Sequence, residues 1–127
     1  MKRILLVDDD PMCNFLCTKF LEGLNGSFES SIALNGRQAL DILMDYKRYP
    51  LPDIILLDLN MPVMGGFEFI SAFKELRIPG QAKVRIVILS SSDDPVDIRK
   101  ASEMGIDHYV TKPISIDKLQ KVINHNN

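Results

Sequence analysis

Residues 3–11 read RILLVDDDP: an apolar run from Ile4 to Val7 ends at three consecutive carboxylates, Asp8, Asp9 and Asp10, and then a proline. A run this short and this uniformly apolar fits a strand covered on both faces, as in a parallel sheet between two layers of helices. Pro11 suits the first turn of a helix, and Asp10 suits its N-cap. Three like charges at the end of a buried strand repel one another. Either a turn needs polar residues there or a cation is expected.

The same pattern recurs along the chain. DIILLD (53–58) is a second apolar strand closed by a carboxylate, VRIVILSSS (84–92) is one closed by hydroxyls, and DHYVTKP (107–113) is a short strand closed by Lys112-Pro113. FESSIAL (28–34) is a weaker strand with Phe28, Ile32 and Leu34 on one face. Helical periodicity fills the gaps. Cys13, Leu16, Cys17, Phe20 and Leu24 form one stripe, and Ala39, Leu40, Leu43 and Tyr46 a second. Phe69, Ile70 and Phe73 form a third, and Ile116, Leu119 and Ile123 a last one behind Ser115 as cap. The helix in DDPVDIRKASEMG has an Asp N-cap and stops at Gly105. Five β-α units in succession predict an α/β fold with a parallel five-stranded sheet and helices on both faces. The chain reads as one domain over residues 1–127, with no linker to a second.

Composition narrows the function. The 127 residues carry 15 Lys and Arg against 17 Asp and Glu, a net charge of −2, which argues against nonspecific nucleic-acid binding. No stretch approaches the length of a membrane span, and the apolar start runs into carboxylates too soon for a secretory signal. The two cysteines, Cys13 and Cys17, lie four apart on one helical face. They read as small apolar core residues rather than a metal half-site or redox pair. Without a disulfide framework, a cytoplasmic protein is expected.

In open sheets of this kind ligands bind at the carboxyl ends of the strands, near the point where strand order reverses. With strand order 2-1-3-4-5, strand two is an edge and offers nothing ionisable. The other ends bring Asp8, Asp9, Asp58, Ser90, Thr111 and Lys112 to one crevice. Clustered carboxylates require a raised pKa on one of them or a cation between them. Oxygen donors at this density suit Mg²⁺, which keeps several waters and binds one or two carboxylates plus a phosphate. Lys112 is a point charge for phosphate oxygens, and the Ser90 hydroxyl can donate to one. A carboxylate so placed can attack phosphorus and carry an aspartyl phosphate.

ILLVDDDP, DIILLDLNMPVMGG, VILSSS and YVTKP, in this order and spacing, resemble the motifs of response-regulator receiver domains of two-component signalling, over essentially the whole chain. The resemblance implies a (βα)5 flavodoxin-like three-layer sandwich, here of the stand-alone type without an output domain. It implies Asp58 as phosphoacceptor and Asp9, Asp58 and the backbone carbonyl of Asn60 as Mg²⁺ ligands, with Asp8 acting through water and Mn²⁺ able to substitute. Ser90 and Lys112 match the phosphoryl-binding positions, Tyr109 the aromatic switch, and the Lys112-Pro113 bond is expected to be cis. A sensor histidine kinase or histidine phosphotransfer protein would supply the phosphoryl group. A downstream protein would read a changed α4-β5-α5 surface, with no nucleic acid or membrane as direct partner.

Some residues depart from the pattern or carry less. Gly65 stands where many relatives carry Asp, which should loosen the loop after Asp58. Asn60 and Ser92 occupy positions that flank the attacking water in the family and should tune phosphoryl lifetime. Met61 and Met64 are expected to pack beside the site, and His108 and His125 to be exposed or at an edge. Two other readings compete. A phosphate-independent interaction domain on the same fold could lose these residues freely, yet all are present. A haloacid-dehalogenase-like phosphatase needs an acid two residues beyond its nucleophile, where this chain has Asn60. The turn DDDP lacks the glycines of a nucleotide-binding loop.

Overall fold

The computed structural model describes residues 2–24 and 28–124. Its elements run β1 (Lys2–Val7), α1 (Pro11–Glu22), β2 (Phe28–Ala33), α2 (Gly36–Met44), β3 (Ile54–Leu57), α3 (Gly66–Glu75), a 3-10 turn (Gln81–Lys83), β4 (Arg85–Ser90), α4 (Pro95–Glu103), β5 (His108–Thr111) and α5 (Ile116–Ile123). The strands are all parallel, in the order β2-β1-β3-β4-β5. The long connector before β4 holds the 3-10 turn, so that strand begins at Arg85.

Strand parity divides the core. Leu5, Val7, Ile55, Leu57 and Ile88 point to one face, where Leu40 and Leu43 of α2, Phe69, Ile70 and Phe73 of α3 and Ala101 of α4 cover them. Ile4, Leu6, Ile54, Leu56, Val87 and Leu89 point to the other, against Cys13, Cys17 and Leu21 of α1 and Leu119, Val122 and Ile123 of α5. Burial of each such aliphatic side chain contributes about 1.5–3 kcal/mol. Both faces of β1 and β3 are thus consumed, which is why these strands read as unbroken apolar runs. The cysteines are free thiols in this second core.

Local signals end the helices where expected. Asp10 caps α1 by accepting from the Met12 N–H at 3.0 Å, with Pro11 as first residue. Asp94 caps α4 and Ser115 caps α5. Gly105 (φ 84°) closes α4: its N–H donates to Ser102, and that of Ile106 to the Ala101 carbonyl.

The helical stripes need correction at their margins. Leu16 is 39% exposed, and the buried face of α1 instead continues through Leu21. Tyr46 lies beyond the end of α2 and is exposed, as is Ile116 at the first turn of α5. On the edge strand β2, Ile32 is exposed and Ala33 is the buried residue, and Leu34, just past the strand's end, is exposed as well. An edge strand has a neighbour on one side only, so its apolar residues are half covered. His108 is half-buried and opens β5, the strand at the other edge of the sheet, in line with the edge position expected. His125 lies outside the described residues.

Candidate functional site

The register delivers the polar residues to one end of the sheet. Val7 pairs with Ala33 on one side and Leu57 on the other, and the next residues continue both pairings: the Asp8 N–H donates to the Ala33 carbonyl at 3.0 Å and the Asp58 N–H to the Val7 carbonyl at 2.9 Å. The two aspartates therefore emerge side by side from the most buried strands. Across the sheet, the Lys112 N–H donates to the Ser90 carbonyl at 2.7 Å, carrying the β4–β5 pairing one step past Thr111. The Lys112-Pro113 peptide bond is cis.

Oxygens of Asp8, Asp9 and Asp58 lie within 4.8 Å of one another, with Asp8 and Asp58 buried and Asp9 exposed. The Lys112 ammonium donates to Asp8 Oδ2 at 2.9 Å and stands 3.5 Å from Asp58 Oδ1. Lys112 thus faces two buried carboxylates, with the third, Asp9, beside them. Burial, followed by the neighbouring Asp8 charge, pushes the Asp58 carboxyl above its ordinary value, and Lys112 offsets this only in part. Lys112 itself loses by burial, but its hydrogen bond to Asp8 and the charges of Asp8 and Asp58 more than compensate and raise it. It is a fixed cation at any physiological pH. The donor set is all oxygen, has surplus negative charge and leaves Asp9 open to solvent. These are the properties that fit a hard divalent ion.

Ser90 is fully buried, and its Oγ accepts from the Ser92 N–H at 3.0 Å. Tyr109 is half-buried against the core, and its hydroxyl donates to the Ser92 carbonyl at 2.7 Å. Asn60 is exposed, while Met61 and Met64 pack partly against the core. Gly65 is the N-cap of α3, where its N–H approaches Glu68 Oε1 at 3.5 Å.

Sequence reasoning missed several supporting residues. Asn14 is buried on α1, and its side-chain amide donates to the Asp8 carbonyl at 2.9 Å. The Asp10 N–H donates to Asp8 Oδ1 at 2.9 Å, so the acidic turn is held from both sides. The signal was an Asn on the buried face of a helix, six residues after the acid it serves. Gly66 has no room for a side chain, because a Cβ there would stand 2.5 Å from the Asp58 carbonyl oxygen. Helix α3 thus starts directly against the backbone of Asp58, which explains the second glycine of MGG. A cavity of about 380 Å³ lined by Arg3, Glu29, Tyr49 and Pro50 shares no residue with this site.

Comparison with known proteins points the same way. A family model described as the response regulator receiver domain matches residues 4–124. The DNA-binding response regulator MtrA of Mycolicibacterium smegmatis is 34% identical over 118 residues, 93% of this chain and 47% of that protein. The chain spans less than half the length of this and other curated relatives. Among solved structures, a two component response regulator from Cytophaga hutchinsonii is 35% identical, with a TM-score of 0.87 over 98% of this chain and 95% of that one. The Mn(2+)-bound form of response regulator Rcp1 is 29% identical, with a TM-score of 0.81 over 97% of this chain and 89% of that one.

Proposed function

Because the chain belongs to the response regulator receiver domain family of two-component systems, we propose that it is a phosphoacceptor switch, with Asp58 as the residue that carries the phosphoryl group. The convergence of Asp8, Asp9 and Asp58 with Lys112 at the ends of β1, β3 and β5 carries this reading. An Asp58 carboxylate oxygen attacks phosphorus, the bond from phosphorus to the donor's leaving group breaks, and an acyl phosphate forms. The donor is a histidine kinase or a histidine phosphotransfer protein, which places the exchange in the cytoplasm. Receiver domains of this kind are generally switches rather than enzymes.

Asp9, Asp58 and the Asn60 carbonyl would hold Mg²⁺, with Asp8 reaching it through water. That response regulator Rcp1 has a Mn(2+)-bound form supports a divalent ion as the ligand. Bound there, the ion supplies charge neutralisation for the crowded carboxylates and the incoming phosphoryl oxygens. Lys112 then shifts its attention from Asp8 and Asp58 to a phosphoryl oxygen. Ser90 Oγ, now an acceptor for the Ser92 amide, turns to donate its proton to another. The phosphoryl group, with up to two negative charges where the carboxylate had one and with three strong acceptors, biases a two-state element made of Ser90, Tyr109 and the α4-β5-α5 surface. A partner protein reads that surface.

Beryllofluoride with MgCl2 tests the reading directly, because it mimics the acyl phosphate without a kinase. Amide spectra of the parent should change around Leu59, Ser90 and Lys112, and those of Asp58→Asn should not. An equal response from both would remove Asp58 from its role.

A further inference from the structure

Lys118 lies in the first turn of α5, six residues beyond the cation of the site. Its ammonium donates at 3.0 Å to the Thr111 carbonyl and at 3.0 Å to the Pro113 carbonyl, those of the residues on either side of Lys112. Its own N–H donates to Ser115 Oγ, the cap of α5, at 3.2 Å, so the stem starts from a fixed point. A cation in a first turn runs against the helix dipole, so α5 gains nothing from the charge there. The sheet explains what the charge serves. Among the described residues, β5 has β4 on one side and the open edge of the sheet on the other. A trans peptide points its N–H and its carbonyl in opposite directions. The Lys112 N–H is donated to the Ser90 carbonyl of β4 at 2.7 Å, so the Thr111 carbonyl of the same peptide unit faces the open edge. Lys118 stands there in place of a further strand. The peptide that leads into Lys112 is thus held at both of its polar ends, and Pro113, which has no N–H, is held through its carbonyl.

We infer that Lys118 is a positioning residue for the phosphoryl group: by clamping the Thr111 and Pro113 carbonyls it fixes the backbone from which Lys112 reaches. The inference rests on the proposed roles of Asp58 and Lys112. A lysine stem is flexible and carries its charge as a point, so its aim depends on where its root is held. The Lys112 ammonium stands 2.9 Å from Asp8 Oδ2 and 3.5 Å from Asp58 Oδ1, and a phosphoryl group on Asp58 asks it to serve an oxygen beyond both. With a fixed root, only the stem has to be reordered in that exchange; with a loose root, the backbone of residues 111–113 has to be ordered as well, at further entropic cost. Divalent-ion binding makes no such demand, because carboxylates and the Asn60 carbonyl would hold the ion. Lys118 therefore separates the two ligands of the site: it supports the phosphoryl group and is indifferent to the metal.

That separation is the test. The parent, Lys118→Met and Lys118→Arg are titrated as ¹⁵N-labelled full chains, first with MgCl2 and then with beryllofluoride at saturating MgCl2, and binding is read at the Leu59 and Asn60 amides. Methionine keeps the apolar stem and drops the donors, whereas arginine keeps the charge and can serve both carbonyls. Lys118→Met is expected to bind beryllofluoride about five- to tenfold more weakly than the parent, as for the loss of a charge-assisted hydrogen bond in reach of solvent, and to bind Mg²⁺ no more weakly. Lys118→Arg should recover most of the beryllofluoride affinity. The deficit of Lys118→Met should persist against the parent at about 1 M KCl, where charges act over only about 3 Å. Weakening of Mg²⁺ and beryllofluoride together would mark a loosened fold and overturns the inference. Equal beryllofluoride affinity in Lys118→Met and the parent, no recovery in Lys118→Arg, or a deficit that disappears in KCl overturns it as well. If the parent itself does not respond to beryllofluoride, the phosphoacceptor reading fails first and this one with it.

Discussion

Val63 is the most conspicuous single residue outside the charged cluster. Its φ is 68°, and the Met64 N–H donates back to the Pro62 carbonyl at 2.7 Å, which makes Val63 the centre of a three-residue turn of the rare, strained kind. A β-branched side chain in this region costs about 1–2 kcal/mol. Nothing repays it through packing, since Val63 is 80% exposed. Val63→Gly should therefore stabilise the domain by about 1 kcal/mol, after allowing for the extra freedom glycine gives the unfolded chain. Urea denaturation checks this: the midpoint should rise with an unchanged slope, and a lower midpoint would mean that the turn is not strained. The sequence shows a loop at NMPVMGG but not this conformation, because Pro62 and the two glycines advertise a turn without saying which residue takes the left-handed position. Asn14 was equally hidden. An Asn in a helix signals nothing by type, and only its burial beside the Asp8 carbonyl reveals what it holds. The aspartates were legible for the opposite reason: a charge at the end of an apolar strand has few places to go except the sheet's open end.

At the scale of elements, strands were easier to read than helix margins. β1, β3 and β4 are covered on both faces over Ile4–Val7, Ile54–Leu57 and 86–89, so those stretches are wholly apolar and easily seen. Helices bury one stripe, and the shoulder positions depend on what stands opposite. Leu16 continues the α1 stripe by spacing, but the helix turns Cys13, Cys17 and Leu21 to the sheet and leaves Leu16 at the margin. Tyr46 and Ile116 fail likewise at helix ends, where the core has already fallen away. What joins β1, β3 and β5 at their polar ends is a single cation. Lys112→Met keeps the apolar stem and removes the charge, which leaves Asp8 and Asp58 buried against each other with no counter-ion. Removing one partner of a buried pair costs about 3–5 kcal/mol. The loss here should fall at the lower end at neutral pH, since Lys112 is partly accessible at 19% of its side chain. It should shrink further in acid, where a carboxylate of the cluster takes up a proton, or on addition of MgCl2, which replaces the missing positive charge. Thermal melts of parent and variant at neutral and mildly acidic pH, each with and without MgCl2, would show this. A loss independent of both conditions would mean that Lys112 acts by packing rather than charge.

For the whole molecule, the site is a standing electrostatic liability carried by a well-packed α/β sandwich. Asp58 shows the sign. Its folded pKa is raised above the ordinary 3.8, so the folded state binds the proton more tightly than the unfolded chain. The stabilising effect is complete below 3.8 and is lost as pH rises through the raised value. At neutral pH the ionised carboxylate therefore counts against the fold. Asp58→Asn removes that charge at nearly constant shape. Without divalent ions it should melt above the parent at pH 7, and the advantage should vanish on acidification toward 3.8. Mg²⁺ should reverse the comparison. An ion that binds only the folded parent stabilises it by about 2.7 kcal/mol at a hundred times its dissociation constant, and Asp58→Asn, lacking a ligand, gains less. The parent's melting temperature should therefore climb with MgCl2 concentration and overtake that of the variant, whereas Asp9→Ala should stay nearly flat. Parallel curves for parent and Asp9→Ala would show that the ion is not held by these acids, and a parent more stable than Asp58→Asn in chelator at pH 7 would show that their repulsion is not the cost the geometry implies.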